Sequence, residues 1–87
     1  MNYTEERPWG KFENLLDTDY CKVKRITVTP GQRLSYQYHN KRAEVWTVVK
    51  GVAKVTLNDA EGWYIAGEVI QIPIGTRHRV ENDTEHE

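Results

Sequence analysis

The chain has a single cysteine, Cys21, so no disulfide can form within it. That usage fits a reducing cytosol, and Cys21 reads as a small, half-buried strand residue. No charge of one sign prevails, since 12 basic residues meet 13 acidic ones in the 87-residue sequence. This balance argues against a nucleic-acid partner and against a polybasic membrane anchor. No apolar run approaches the roughly 20 residues of a membrane span, and the polar start, Met1 to Glu6, is not a signal peptide. A cytoplasmic protein with no membrane partner is therefore expected. Apolar spacing of period 3.6 never persists beyond a turn or two, which excludes helices from the expectation. Repeats and linkers are absent too.

What is present is a series of short alternating runs punctuated by glycine and proline. Arg7-Pro8-Trp9-Gly10 brackets a large aromatic that anchors its segment by burying the ring. Lys11 to Leu16 reads as a short strand, and Asp17-Thr18-Asp19 as a turn. Tyr20 to Thr29 is β-branched and alternating, with Lys24, Ile26 and Val28 on one face. Strands are also expected over Leu34–His39, Val45–Lys50, Val52–Leu57, Trp63–Ala66, Val69–Ile72 and Arg77–Glu81, with a hairpin loop over Asn58–Gly62. Such a chain makes an all-β barrel or sandwich of one domain, 1–87. Residues 1–6 are expected to be flexible or laid over another element, and 83–87 to be a loop or tail.

The stretch from Gly31 to Gly51 holds three candidate metal ligands, Gln37, His39 and Glu44. Gln37 and His39 are two residues apart, so on a strand they share a face. Glu44 follows a polar turn, Asn40 to Ala43, from which a returning strand can bring its carboxylate back. A fourth group, His78, lies in a second Gly/Pro-marked stretch. Singly, each is unremarkable: a lone strand histidine is more often scaffold, and a lone turn glutamate is usually solvated. Together they offer mixed nitrogen and oxygen donors with coordination positions to spare, which suits a divalent cation, zinc foremost, with Co, Mn, Ni, Fe or Mg as alternatives.

Gly31, Gln37, His39, Glu44 and Gly51 fall at the spacing of the first cupin motif. Gly67, Pro73, Gly75, His78 and Asn82 fall at that of the second. The chain thus resembles the cupins, which implies a double-stranded β-helix, or jelly-roll barrel. Within them it is similar to the mannose-6-phosphate isomerase domain at the C-terminus of bifunctional mannose-1-phosphate guanylyltransferases. Arg7-Pro8-Trp9-Gly10, Val23-Lys24-Arg25-Ile26, Arg42-Ala43-Glu44, Trp46, Ile72-Pro73 and His78-Arg79 carry that resemblance, which runs from Arg7 to the end. It implies that Gln37, His39, Glu44 and His78 hold the metal and that Arg42 serves activity. Asn40, Lys41 and Val45 stand where the family has further histidines. The family's chain also continues through another strand, so the barrel is expected to lack its last strand here, leaving a sheet edge that favours a homodimer.

The implied reaction interconverts mannose 6-phosphate and fructose 6-phosphate by moving a proton between C1 and C2 through an enediol. It needs a cation for the carbonyl, a base and positive groups for the phosphate. Lys24 is a candidate contact for substrate oxygens if the Ile26 face points inward, and a solvated lysine if it does not. Arg42 can clamp phosphate or stabilise an enediolate. Lys41 is a candidate base or phosphate contact, with a solvated loop lysine as the alternative. Trp46 either lines the cavity or packs the core. Arg77 and Arg79 alternate with His78, so both should point away from the metal and into salt bridges, while Trp9 and Trp63 belong to the wall. The base is left among Glu44, a hydroxide on the cation and Lys41. The competing readings are a non-catalytic, metal-holding cupin that binds a sugar or phosphosugar, and an iron-dependent dioxygenase, which Gln37 in place of a histidine disfavours.

Overall fold

β-Branched residues and turn formers alternate along the chain, and the computed structural model folds them into eight strands and no helix among the described residues, 3–19, 22–38 and 43–87. Three antiparallel sheets result. The first joins β1 (Tyr3–Arg7), β2 (Gly10–Asp17) and β3 (Lys22–Val28) in that order. The second pairs β4 (Glu44–Thr47) with β7 (Val69–Ile72). In the third, β5 (Val52–Leu57) lies between β6 (Ala60–Ile65) and β8 (His78–Glu81). The all-β expectation holds.

The core is small and off-centre. Val55, Ile70 and Ile72 are its buried residues, with Trp46, Val48, Leu57, Tyr64 and Val80 packed on them. Apolar residues therefore weld the second sheet to the third, since burial is what outweighs the ordering entropy of the strands. The first sheet does not enter that core. Its Phe12 and Ile26, directly opposite in register, face a cavity of about 980 Å³ instead. On its other face Arg25 donates two hydrogen bonds of 2.9 Å to Glu13, across the strand pair. The Arg25 guanidinium holds the Glu13 carboxyl below the usual carboxylate range. Water screens this exposed pair, so it helps to fix register more than it stabilises.

Several local expectations change. Tyr3–Arg7 is a strand paired with β2 along its whole length, so this segment is laid on another element rather than frayed. The hairpin loop is two residues, not five. Asn58 and Asp59 have φ of 46° and 71°, the left-handed pair of a type I′ turn, and Ala60 to Gly62 already belong to β6. The Tyr36 hydroxyl braces that turn, accepting from the Asp59 amide at 2.8 Å and donating to Asp59 Oδ1 at 2.9 Å. The strand expected over Val45–Lys50 is Glu44–Thr47.

The largest departure concerns Leu34–His39, which is not a regular strand. Arg33 bridges to Glu81 and Gln37 to His78, so four steps on one side oppose three on the other. One extra residue is accommodated between them as a bulge. Asn82 ties off this segment: its amide nitrogen donates to Val28 and His86 carbonyls at 2.9 and 2.6 Å, and its oxygen accepts from Thr84. Tyr20, Cys21 and His39 to Arg42 lie outside the described residues.

Candidate functional site

The polar end of the cavity is assembled by register. His78 opens β8 and is 5% exposed. Gln37 lies directly opposite, the two backbones exchanging hydrogen bonds of 2.9 and 2.7 Å. Residues so paired project to the same side of a sheet, so Gln37 and His78 share a face. The bulge decides this. An unbroken register from Arg33 and Glu81 would set Tyr36 against His78 and Gln37 against Arg77, turning Gln37 away.

Glu44 and Trp46 arrive from the second sheet. They alternate with exposed Val45 and Thr47 and lie opposite buried Ile72 and Ile70, so both project inward. Glu44 Oε2 is 3.7 Å from His78 Nε2. Trp46 Nε1 donates to Glu44 Oε1 at 2.9 Å, and its ring meets that of His78 edge-on, with centroids 5.5 Å apart. On the far side of the imidazole, Nδ1 lies 3.0 Å from the Thr76 carbonyl oxygen. A carbonyl can only accept, so Nδ1 carries a proton, and Nε2 is the ring nitrogen on the Glu44 side. Gln37 donates through Nε2 to Ser35 Oγ at 3.0 Å, which leaves Oε1 as the atom it could offer to a cation.

Glu44 and His78 fit a divalent cation in kind and placement, and the Gln37 amide fits it in kind. A carboxylate, an amide oxygen and an imidazole nitrogen are suitable ligands, and donors 3.7 Å apart can both lie roughly 2.0–2.2 Å from one ion. Each is also held by a partner of its own: Thr76 on His78, Trp46 on Glu44, Ser35 on Gln37. Such outer partners orient metal ligands and tune them. Among the described residues no three His, Cys, Asp or Glu side chains cluster tightly enough to hold a metal by themselves. The set would consist of His78, Glu44, the amide of Gln37 and whatever His39 adds, and His39, Lys41 and Arg42 lie outside the described residues.

Of the other candidate residues, Lys24 faces the same cavity, with its ammonium 4.7 Å from the centre of the Phe12 ring. Ile26 beside it is 40% exposed, so the Ile26 face points inward to a cavity rather than to core. Trp46 both lines the cavity and packs on the core, and it has a use the sequence reading did not assign, as the donor that holds Glu44. Arg79 alternates with His78 as expected but takes a ring contact instead of a salt bridge, its guanidinium 5.1 Å from the Tyr36 centroid. Among the described residues neither it nor Arg77 forms an ion pair. Trp63 is 55% exposed, donating to Asp83 at 2.9 Å, and so is no buried wall. Sequence reasoning passed over Phe12 and treated Arg7 only as part of a corner motif, although Phe12 lies in the alternating run after Gly10.

A Trp46→Phe variant tests the bracing of Glu44. An aromatic ring stays while the indole donor and part of the side-chain volume go, and affinity for Zn(II) or Co(II) is expected to fall by about tenfold. Unchanged affinity by competition titration would show that Glu44 needs no such donor.

No helix among the described residues is long and apolar enough to cross a membrane. In fold the chain is similar to a Cupin 2 conserved barrel domain protein from Salinispora arenicola, with a TM-score of 0.74 at 24% identity over 87% of this chain and 66% of that one. This agrees with the expected cupin barrel. In sequence it is 49% identical over 76 residues to a mannose-1-phosphate guanylyltransferase of Escherichia coli. The corresponding figure is 47% for the mannose-1-phosphate guanylyltransferase ManC of Salmonella typhimurium. Both matches take in 87% of this chain but 16% of the relative, so the chain spans about a sixth of the length of these proteins. The family model described as mannose-6-phosphate isomerase C-terminal matches residues 1–86. Cupin barrel, paired motifs and family match converge, and the chain belongs to the mannose-6-phosphate isomerase C-terminal family.

Proposed function

We propose that this domain is a metal-dependent sugar-phosphate isomerase that interconverts mannose 6-phosphate and fructose 6-phosphate. The observation that carries the reading is the meeting of His78, Glu44 and Gln37 at one end of a cavity that has Lys24 on another wall. The family to which the chain belongs and the mannose-1-phosphate chemistry named for its relatives support the same class of substrate.

Gln37, His39, Glu44 and His78 would hold the ion, with zinc the first candidate. Held there, a divalent cation would supply the Lewis acidity that the sugar carbonyl requires. The protein's own residues do the rest. Trp46 and Thr76 keep Glu44 and His78 oriented before substrate arrives, so no reorganisation is needed at the moment of reaction. Glu44 on β4 and Lys41, three residues before it in sequence, are the groups proposed to move the proton between C1 and C2. Arg42 is assigned the negative charge that develops on the enediolate, and Lys24 the substrate oxygens.

The direct test incubates the protein, loaded in turn with Zn, Co, Mn or Mg, with mannose 6-phosphate and follows fructose 6-phosphate. Product with at least one metal is expected. Absence of product with all four would overturn the isomerase, and binding without turnover would mark a sugar-phosphate-binding module.

A further inference from the structure

Phe12 lies on the middle strand of the first sheet, and two cations from its two neighbours reach over it. Arg7 on β1 pairs with Gly10, and Lys24 on β3 pairs with Asn14, so each is diagonal to Phe12, at opposite ends of the same face. Diagonal neighbours lie within reach of long side chains. The Lys24 ammonium is 4.7 Å and the Arg7 guanidinium carbon 5.6 Å from the ring centre. Arg7, Phe12 and Lys24 all line the cavity that has His78 and Glu44 on another wall.

The two cations are held differently. Arg7 is paired with Glu5, whose other oxygen accepts the Tyr3 hydroxyl at 2.7 Å. That hydrogen bond to Glu5 raises the Tyr3 phenol above its ordinary range and keeps it a donor. The carboxylate thus steadies one edge of a five-donor fork and leaves other N–H groups available. Among the described residues no carboxylate pairs with Lys24. Elsewhere the pattern differs: Lys54 also lies over a ring, that of Trp63, but Glu61 and Glu81 neutralise it. A ring contact uses the face of the π-system and consumes no hydrogen-bond donor. Two cations held against one ring, both lining the cavity, suit a ligand with several anionic oxygens, and a phosphate monoester is such a ligand.

We propose that Arg7 and Lys24, positioned over Phe12, form the phosphate-binding pole of the cavity, facing the carbonyl end at His78 and Glu44. The inference rests on the sugar-phosphate reading and adds to it which residues take the phosphate.

The test measures binding of mannose 6-phosphate and of mannose to the whole 87-residue protein by calorimetry, with metal content determined in parallel. The parent is expected to prefer the phosphorylated sugar. Arg7→Gln and Lys24→Gln should each weaken mannose 6-phosphate by about tenfold, the loss of a charged hydrogen-bond partner. Mannose binding should change far less than mannose 6-phosphate binding, metal content and circular dichroism should stay as in the parent, and Lys24→Arg should restore most of the affinity. If the parent prefers the phosphorylated sugar and the double Gln variant prefers it as strongly, the assignment to Arg7 and Lys24 falls and the sugar-phosphate reading stands. If the parent itself shows no preference, the sugar-phosphate reading falls and takes the assignment with it.

Discussion

A His78→Ala variant is expected to lose the proposed divalent metal, with affinity down by at least about a hundredfold, the upper end of what even outer-shell partners cost. His78 is the best-placed ligand of the proposed set. It is 5% exposed, its Nδ1 proton is committed to the Thr76 carbonyl, and its Nε2 faces Glu44 at 3.7 Å. Alanine removes the donor and leaves a void beside Trp46. Gln37→Ala should cost less, because a neutral amide oxygen attracts a dication less strongly than a fixed imidazole lone pair does. Elemental analysis after dialysis, together with a competition titration, reads both effects. Circular dichroism separates loss of ligand from loss of fold. Metal retained at the parent stoichiometry by folded His78→Ala would remove His78 from the site.

The second large effect is on stability and comes from one missing methyl group. Gly10 has φ of +146°, and a Cβ placed on it would lie 2.0 Å from the Thr27 carbonyl oxygen and 3.0 Å from its carbon. The obstacle is backbone of the neighbouring strand, so no side chain can swing aside. Gly10→Ala must either push β3 from β2 or abandon the corner after Trp9, whose carbonyl accepts from the Thr29 amide at 2.9 Å. Strain of this kind costs about 3 kcal/mol or more. In a domain of this size that lowers Tm by roughly 10–25 °C. The same movement displaces Phe12, two residues on, and with it the wall that holds Lys24 and Arg7. A thermal melt within about 3 °C of the parent would show that the two strands have room to spare at Gly10.

Much of this protein is legible along the chain because strands, corners and paired motifs are local. Val52–Leu57 and Val69–Ile72 announce themselves by alternation and by the turn formers around them, and both form over the expected residues. The Asn58-Asp59 turn was foreseen in place but not in length. Turn formers mark a corner, yet the left-handed φ of two successive residues depends on how the flanking strands twist. The candidate ligands could be named from motif spacing, and the family with them.

What the chain order could not contain is register between distant segments. Gln37 turns toward His78 because one extra residue is taken up between Arg33 and Gln37, and nothing local in Leu34-Ser35-Tyr36 specifies that slip. It arises from the demands of pairing with β8 at both ends. Trp46 finds Glu44 by simple alternation, but its contact with His78 requires two sheets to pack. Arg7 and Lys24 are 17 residues apart in sequence and meet over Phe12 only because three strands align. By itself the sequence determined which side chains are available for chemistry and on which short strands they ride. The tertiary structure decided which of them face one another, since side-chain direction in a sheet reverses with every residue and only pairing fixes the count.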